Sequence, residues 1–188
     1  MSALFSQITL PSFVDAQESS AIPSPPRLRM LRLSVTDLCN FRCRYCMSLM
    51  GVPHLQHGDL LSLEQLADLV WWLTACVGIE RVRLTGGEPL VRHGIEHLIA
   101  QISTFPGIQE VSLTTNGSLL QQKVWALKAA GLKRVNISLD SLDKERFAAI
   151  TRGGSLSSKI CPRPWPGRHF KLMSRKRLRH SPWTARRQ

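Results

Sequence analysis

Four times in succession this chain alternates a short strand pattern with a helical one, and each strand runs into a turn signal. Leu31, Leu33 and Val35 alternate with Arg32 and Ser34, a period of two that makes a strand beginning at Met30. Further strands are predicted at Arg81 to Thr85, closed by Gly86-Gly87; at Glu110 to Thr115, closed by Asn116-Gly117; and at Arg134 to Leu139, closed by Asp140-Ser141. Helical patterns fill the gaps. Ser62, followed three residues later by Gln65, is a capping box. Behind it Leu63, Leu66, Ala67, Val70, Leu73 and Val77 recur at three- and four-residue steps to form one apolar face, which Gly78 stops. A second helix runs through Ile95, Leu98, Ile99 and Ile102. A third spans Gln121 to Ala130 before Gly131, and a fourth starts near Asp143 and reaches about Ile150. Strand–helix alternation with short connections implies an α/β fold, a parallel sheet wrapped by helices. In such sheets functional residues gather at the carboxyl ends of the strands. Those ends carry a cysteine-rich loop, Gly86-Gly87-Glu88, Thr114-Thr115-Asn116-Gly117 and Ser138-Leu139-Asp140, which should share one rim.

The loop after the first strand reads Cys39-Asn40-Phe41-Arg42-Cys43-Arg44-Tyr45-Cys46, three cysteines at C-x3-C-x2-C spacing. A cube of four irons is normally held by four thiolates. Three would leave one iron open, the arrangement of a metal site that does chemistry rather than one that only holds structure. Zinc is the alternative, but it needs a fourth ligand from distant Cys76, Cys161 or a histidine. Cys76 lies in the apolar helical run and is read as a small buried core residue. An odd total of five cysteines, three of them crowded, suits metal thiolates in a reducing compartment better than a disulfide framework.

The net charge of +12 suggests nucleic acid, but its distribution does not. Residues 1–150 carry 14 basic and 13 acidic side chains, whereas residues 151–188 carry 11 basic and no acidic ones. Residues 1–28 form a poorly patterned leader ending in Pro23-Ser24-Pro25-Pro26, expected to be a flexible tether. The amino terminus lacks the basic start and apolar core of a signal peptide, and no apolar stretch is long enough to span a bilayer. The expectation is a soluble, cytoplasmic protein with no membrane partner. Beyond Gly154 four prolines, clustered Arg and Lys and two scattered tryptophans replace the periodic pattern. Residues 155–188 are therefore expected to be a basic disordered tail, the product of a chain read out of frame; a nucleic-acid arm is the competing reading.

The cysteine motif, with an aromatic residue before its last cysteine, resembles that of radical S-adenosylmethionine enzymes, and Gly86-Gly87-Glu88-Pro89 resembles their second motif. Longer strings are similar to the GTP 3′,8-cyclase family, which opens molybdenum-cofactor synthesis. These are Leu33 through Met47, Arg83-Leu84-Thr85-Gly86-Gly87-Glu88-Pro89-Leu90, Leu113 through Gly117 and Val135 through Ser141. The resemblance covers residues 29–154 and implies the first four βα units of a partial (β/α) TIM-type barrel of the radical S-adenosylmethionine kind. It implies a [4Fe-4S] cluster on Cys39, Cys43 and Cys46. It places S-adenosyl-L-methionine against Tyr45, Gly87 and Ser138, and GTP against Arg32, Arg83 and Thr114. Arginine suits a triphosphate because its planar fork makes charge-assisted bidentate bonds. The absence of a side chain at Gly87 is read as room for backbone to approach the cofactor. The family's chemistry would be reductive cleavage of the cofactor to a 5′-deoxyadenosyl radical. That radical removes hydrogen from C3′ of the GTP ribose, and the sugar carbon then joins C8 of guanine. An electron donor such as flavodoxin or ferredoxin, and a second copy of the chain, are the implied partners.

The chain departs from the family pattern in places. Ser48 stands where a proline usually follows the Cys-Met pair, and an acidic residue expected near Arg92-His93-Gly94 is missing. The family's later barrel units have no counterpart, nor do its three late cysteines, its later lysine and methionine contacts or its Gly-Gly end. The sequence is thus expected to be a truncated family member with impaired turnover. A peptide- or haem-modifying radical enzyme sharing the same front half, and an inactive fragment, are the alternatives. Arg42 and Arg44 are read as structural or surface charges.

Overall fold

A computed structural model describes residues 28–50, 60–156 and 170–174. Its elements run β1 (Met30–Ser34), α1 (Leu63–Val77), β2 (Arg81–Thr85), α2 (Ile95–Ser103), β3 (Glu110–Thr115), α3 (Leu120–Ala129), β4 (Arg134–Leu139), α4 (Lys144–Thr151) and β5 (Phe170–Ser174), with a single 3₁₀ turn at Pro89–Val91. The strands pair in chain order, β1-β2-β3-β4-β5, every neighbour parallel. Sequential order distinguishes this sheet from a doubly wound one, whose strand order reverses at a switch point. Each crossover moves one strand further in the same direction, as in a (β/α) barrel, so the described strands form an arc of that barrel.

The local structure follows from the side chains. Ser62 accepts from the Gln65 N–H while the Gln65 side chain accepts from the Ser62 N–H, completing the expected capping box. Gly78 ends α1 at φ 76°, in the left-handed region. In α2 all four predicted apolar residues, Ile95, Leu98, Ile99 and Ile102, are buried. They meet Val82 and Leu84 of β2 and Val111 and Leu113 of β3 in one core that also takes in Leu66, Ala67 and Val70 of α1. Each such side chain contributes about 1.5–3 kcal/mol on burial. Asp143 caps α4 by accepting from the Arg146 N–H.

Three expectations are corrected. Val77 is exposed, since α1 turns its last residue off the core. Cys76 is likewise exposed rather than a core residue; at helical spacing it falls off the stripe set by Leu66 and Val70. The third correction concerns residues 155–188, where Phe170–Ser174 forms β5. The outer edge of β4 offers a row of unpaired N–H and C=O groups that templates another strand. Phe-Lys-Leu-Met is β-compatible, though the surrounding prolines and arginines obscure it in the sequence. Residues 1–27 of the leader, Cys161, and most of the basic tail lie outside the described residues. Among the described residues no helix is long and apolar enough to cross a membrane.

Replacing Leu98, which is 1% exposed, by alanine should cost about 2–5 kcal/mol by urea unfolding. Ser62→Ala should cost about 1 kcal/mol, because only a cap is lost.

Candidate active site at the carboxyl rim of the sheet

The cysteine loop leaves β1 and is fastened at its middle and its start. At the middle, Phe41 is buried against Phe147 of α4, with ring centroids 6.2 Å apart and edge-to-face, beside Leu139 and Leu156. The Arg42 N–H donates to the Thr151 carbonyl at 3.1 Å and the Arg44 N–H to Ile150 at 2.9 Å. Carbonyls at the end of a helix have no partner within it, so the loop satisfies what α4 leaves over. The Arg42 guanidinium donates back to the carbonyls of Cys39 (2.6 Å) and Phe41 (3.2 Å), the structural part expected for it. The N–H groups of Cys46 and Met47 both converge on the Cys43 carbonyl at 2.9 Å, which curls the loop's end.

At its start the loop is held by the glycine pair after β2. The Gly87 N–H donates to the Thr36 carbonyl and the Glu88 N–H to Leu38, both at 2.8 Å. A Cβ on Gly87 would sit 2.2 Å from the Leu38 carbonyl oxygen, and one on Gly86, at φ 148°, 2.5 Å from that of Thr36. The space at Gly87 is thus filled by the protein's own backbone: the missing side chain lets two loops touch.

Behind this contact lies Glu88, 1% exposed. Its carboxylate accepts from Thr115 Oγ1 (2.7 Å), the Asn116 N–H (2.6 Å) and the Leu90 N–H (3.1 Å), so the buried charge is met by three donors. Opposite it, the Tyr45 hydroxyl lies 3.0 and 3.2 Å from the two carboxylate oxygens of Asp140. Burial, then the neighbouring Cys43 and Asp140, hold the phenolic proton on well above its usual range.

The three thiols occupy this one loop, Cys39 and Cys43 half-buried and Cys46 exposed. Burial pushes the Cys39 and Cys43 thiols up; Glu88 and then Cys46 add to the rise at Cys39, and Asp140, Cys39 and Cys46 add to it at Cys43. Thus the sulfurs sense one another. Among the described residues, though, no three His, Cys, Asp or Glu side chains converge closely enough to hold a single ion. Three soft thiols in one loop are the donor type that iron–sulfur clusters take.

The sheet separates two environments. Leu33, Val82, Leu84, Val111, Leu113, Val135 and Ile137 face the helices. The alternate residues face the inside of the arc and are polar. Arg32 pairs with Arg83 and Arg83 with Ser112, forming one layer; Thr114 stands one step nearer the rim, in register with Asn136, and Ser138 one step further. All of the residues picked from sequence for the two ligands other than Tyr45 and Gly87 are therefore on one face, and those two are in the rim loops above it. Arg83 Nε and Asn136 Nδ2 are buried with no hydrogen-bond partner among the described residues. Asn40, Ser118 and Asn136 are not among the site residues the sequence predicts, while Asn116 and Asp140 enter it as strand-end turn residues of the predicted rim; the place of Asn116 beside a strand-end threonine there is the signal for more.

The radical SAM superfamily profile matches residues 33–160. The chain belongs to the radical SAM superfamily. Members of this superfamily use a [4Fe-4S] cluster and S-adenosylmethionine. The matched span takes in the cysteine loop, the glycine pair and the inner sheet face. Among curated proteins, GTP 3′,8-cyclase of Pelotomaculum thermopropionicum is 53% identical over 130 residues, which cover 69% of this chain and 40% of that protein. That of Moorella thermoacetica is 52% identical over 132 residues, covering 70% and 41%. The chain thus spans about 40% of the length of these relatives. Among solved structures, methylornithine synthase has a TM-score of 0.58 at 14% identity, covering 76% of this chain and 43% of that one. Native anSMEcpe with bound AdoMet has a TM-score of 0.57 at 20% identity, covering 76% and 43%. At such identities these two establish the superfamily's fold alone.

Two outcomes follow for the metal-free protein. Gly87→Ala should lower the melting temperature and weaken iron uptake, since overpacking against backbone costs about 1–3 kcal/mol; calorimetry and iron analysis check it. Alkylation by iodoacetamide should reach exposed Cys46 and Cys76 before Cys39 and Cys43. Because the last two pKa values are raised above 9.0, their thiolate fraction at pH 8 is small, and their rates should reach half-maximum above that pH, as peptide mapping would show.

Proposed function

We propose that this chain carries the front half of a GTP 3′,8-cyclase site, with Cys39, Cys43 and Cys46 holding a [4Fe-4S] cluster. Tyr45, Gly87 and Ser138 bind S-adenosyl-L-methionine, and Arg32, Arg83 and Thr114 bind GTP. When bound, the cluster supplies the electron that splits the cofactor and so generates the hydrogen-abstracting species. The chain's own residues bind, orient and shield. Arg32 and Arg83 present two guanidinium groups from adjacent strands in register, a spacing suited to phosphate oxygens. Thr114 offers a hydroxyl one step nearer the thiols. Aromatic Tyr45 lies between two of the cysteines, where its ring can cover adenine. The molybdenum-cofactor context, a flavodoxin or ferredoxin donor and a second copy of the chain are parts of the same reading.

The observation that carries it is the Arg83 side chain. Its Nε is buried on the polar face below the cysteine loop and has no acceptor among the described residues. A buried donor left unmet costs about 1–3 kcal/mol, and an anionic ligand would meet it. Identity above 50% to proteins named GTP 3′,8-cyclase supports the choice of ligand.

Anaerobic reconstitution with iron and sulfide, followed by equilibrium binding of GTP, tests this. The expected result is iron and sulfide in the protein, GTP-binding, and weakening of that binding by about ten- to hundred-fold in Arg83→Ala and Arg32→Ala, the range for a lost charge-assisted bond. Protein that takes up one zinc and no sulfide, or GTP binding indifferent to both arginines, would overturn it.

A further inference from the structure

The rim loops are joined by a closed circuit of hydrogen bonds with Cys39 inside it. The Glu88 N–H donates to the Leu38 carbonyl at 2.8 Å, and the Glu88 carboxylate accepts from the Asn116 N–H at 2.6 Å. Asn116 Nδ2 then donates to Asn40 Oδ1 at 2.8 Å. Leu38 and Asn40 flank Cys39, so the circuit leaves the chain on one side of the thiol, passes through the loops after β2 and β3, and returns on the other. A branch thickens the return. Asn40 Nδ2 donates to Ser118 Oγ at 2.8 Å, and both the N–H and the hydroxyl of Ser118 donate to Asn116 Oδ1, at 2.9 and 2.7 Å.

We propose that Asn40 and Asn116 are positioning residues that fix the Cys39 thiol relative to the Gly-Gly-Glu loop by a side-chain clasp between the loops after β1 and β3. Neither side chain is needed to build the fold: Asn40 is exposed and Asn116 half-buried. The other anchors of the loop are the backbone bonds from Gly87 and Glu88 just before Cys39, the Arg42 guanidinium on the Cys39 carbonyl, and, beyond it, Phe41 on Phe147 with the two bonds to the end of α4. Without the clasp, the residue after Cys39 would lose its tie to the loop after β3. Each asparagine is used at both ends of its amide, as donor and as acceptor, so neither aspartate nor alanine reproduces it. The inference rests on the cluster-binding part of the reading above and is independent of GTP.

The test uses the metal-free full chain and compares Asn40→Ala, Asn116→Ala, Ser118→Ala and the double variant Asn40→Ala/Asn116→Ala. The readout is the alkylation rate of Cys39 relative to exposed Cys76, with the melting temperature followed alongside. Loss of one hydrogen bond of ordinary net worth corresponds to about a five-fold faster Cys39 reaction in either asparagine variant. Cys76 and the melting temperature should hold steady, and Ser118→Ala should show a smaller change. Because the two asparagines share one bond, the double variant should be no faster than the faster single one. After iron and sulfide are added, Asn116→Ala should lose iron to a chelator about five-fold faster than the parent, with an altered electron paramagnetic resonance signal. An unchanged Cys39 rate in both single variants, or single effects that multiply in the double, would overturn the clasp. If instead the alkylation pattern is as expected while the parent chain takes up no cluster, the clasp stands and the cluster assignment falls.

Discussion

Two backbone hydrogen bonds, from Gly87 to Thr36 and from Glu88 to Leu38, hold the rest of the site in register. They exist only because neither glycine carries a Cβ, which would lie 2.2–2.5 Å from a carbonyl oxygen. The contact brings the end of β2 against the start of the cysteine loop, and it leads the Glu88 side chain inward. A carboxylate at that depth is tolerated because three donors surround it, two of them from the end of β3. The glycine pair, the buried acid and the threonine–asparagine turn are therefore one structural unit spread over three loops.

The sheet beneath it serves two purposes through its period of two. One face supplies valine, leucine and isoleucine to the helices, where burial stabilises the arc. The other collects arginine, threonine, serine and asparagine at the same register positions. A parallel strand buried on both faces is normally apolar on both. Here the inner face is not, and Arg83 and Asn136 leave buried donors unmet among the described residues. Local rules broken in this way are expected at functional sites, where the fold alone does not account for the residue.

Much of this was legible beforehand, for physical reasons. Strands and helices were readable because their periodicities differ, and Ser62, Gly78 and Asp143 mark their boundaries with side chains that cap. The shared rim followed from parallel alternation alone. What could not be read was tertiary. Nothing in the string shows that Phe41 reaches Phe147, that Asn40 faces Asn116, or that Gly87 packs on the Leu38 carbonyl. Cys76 was misplaced because it falls within an apolar run whose stripe misses it by a fraction of a turn. Phe170–Ser174 escaped notice because strand formation there depends on an edge supplied by β4, a property of the partner and not of the segment.

The bonds from Arg42 and Arg44 to the last carbonyls of α4 set an order of events. The cysteines lie near the amino-terminal end of the described arc, yet their loop cannot settle until α4, about a hundred residues later, has formed. A ribosome delivers the thiols first and their support last. During synthesis the triplet therefore waits as open, oxidisable thiols until the sheet that supports it has been built.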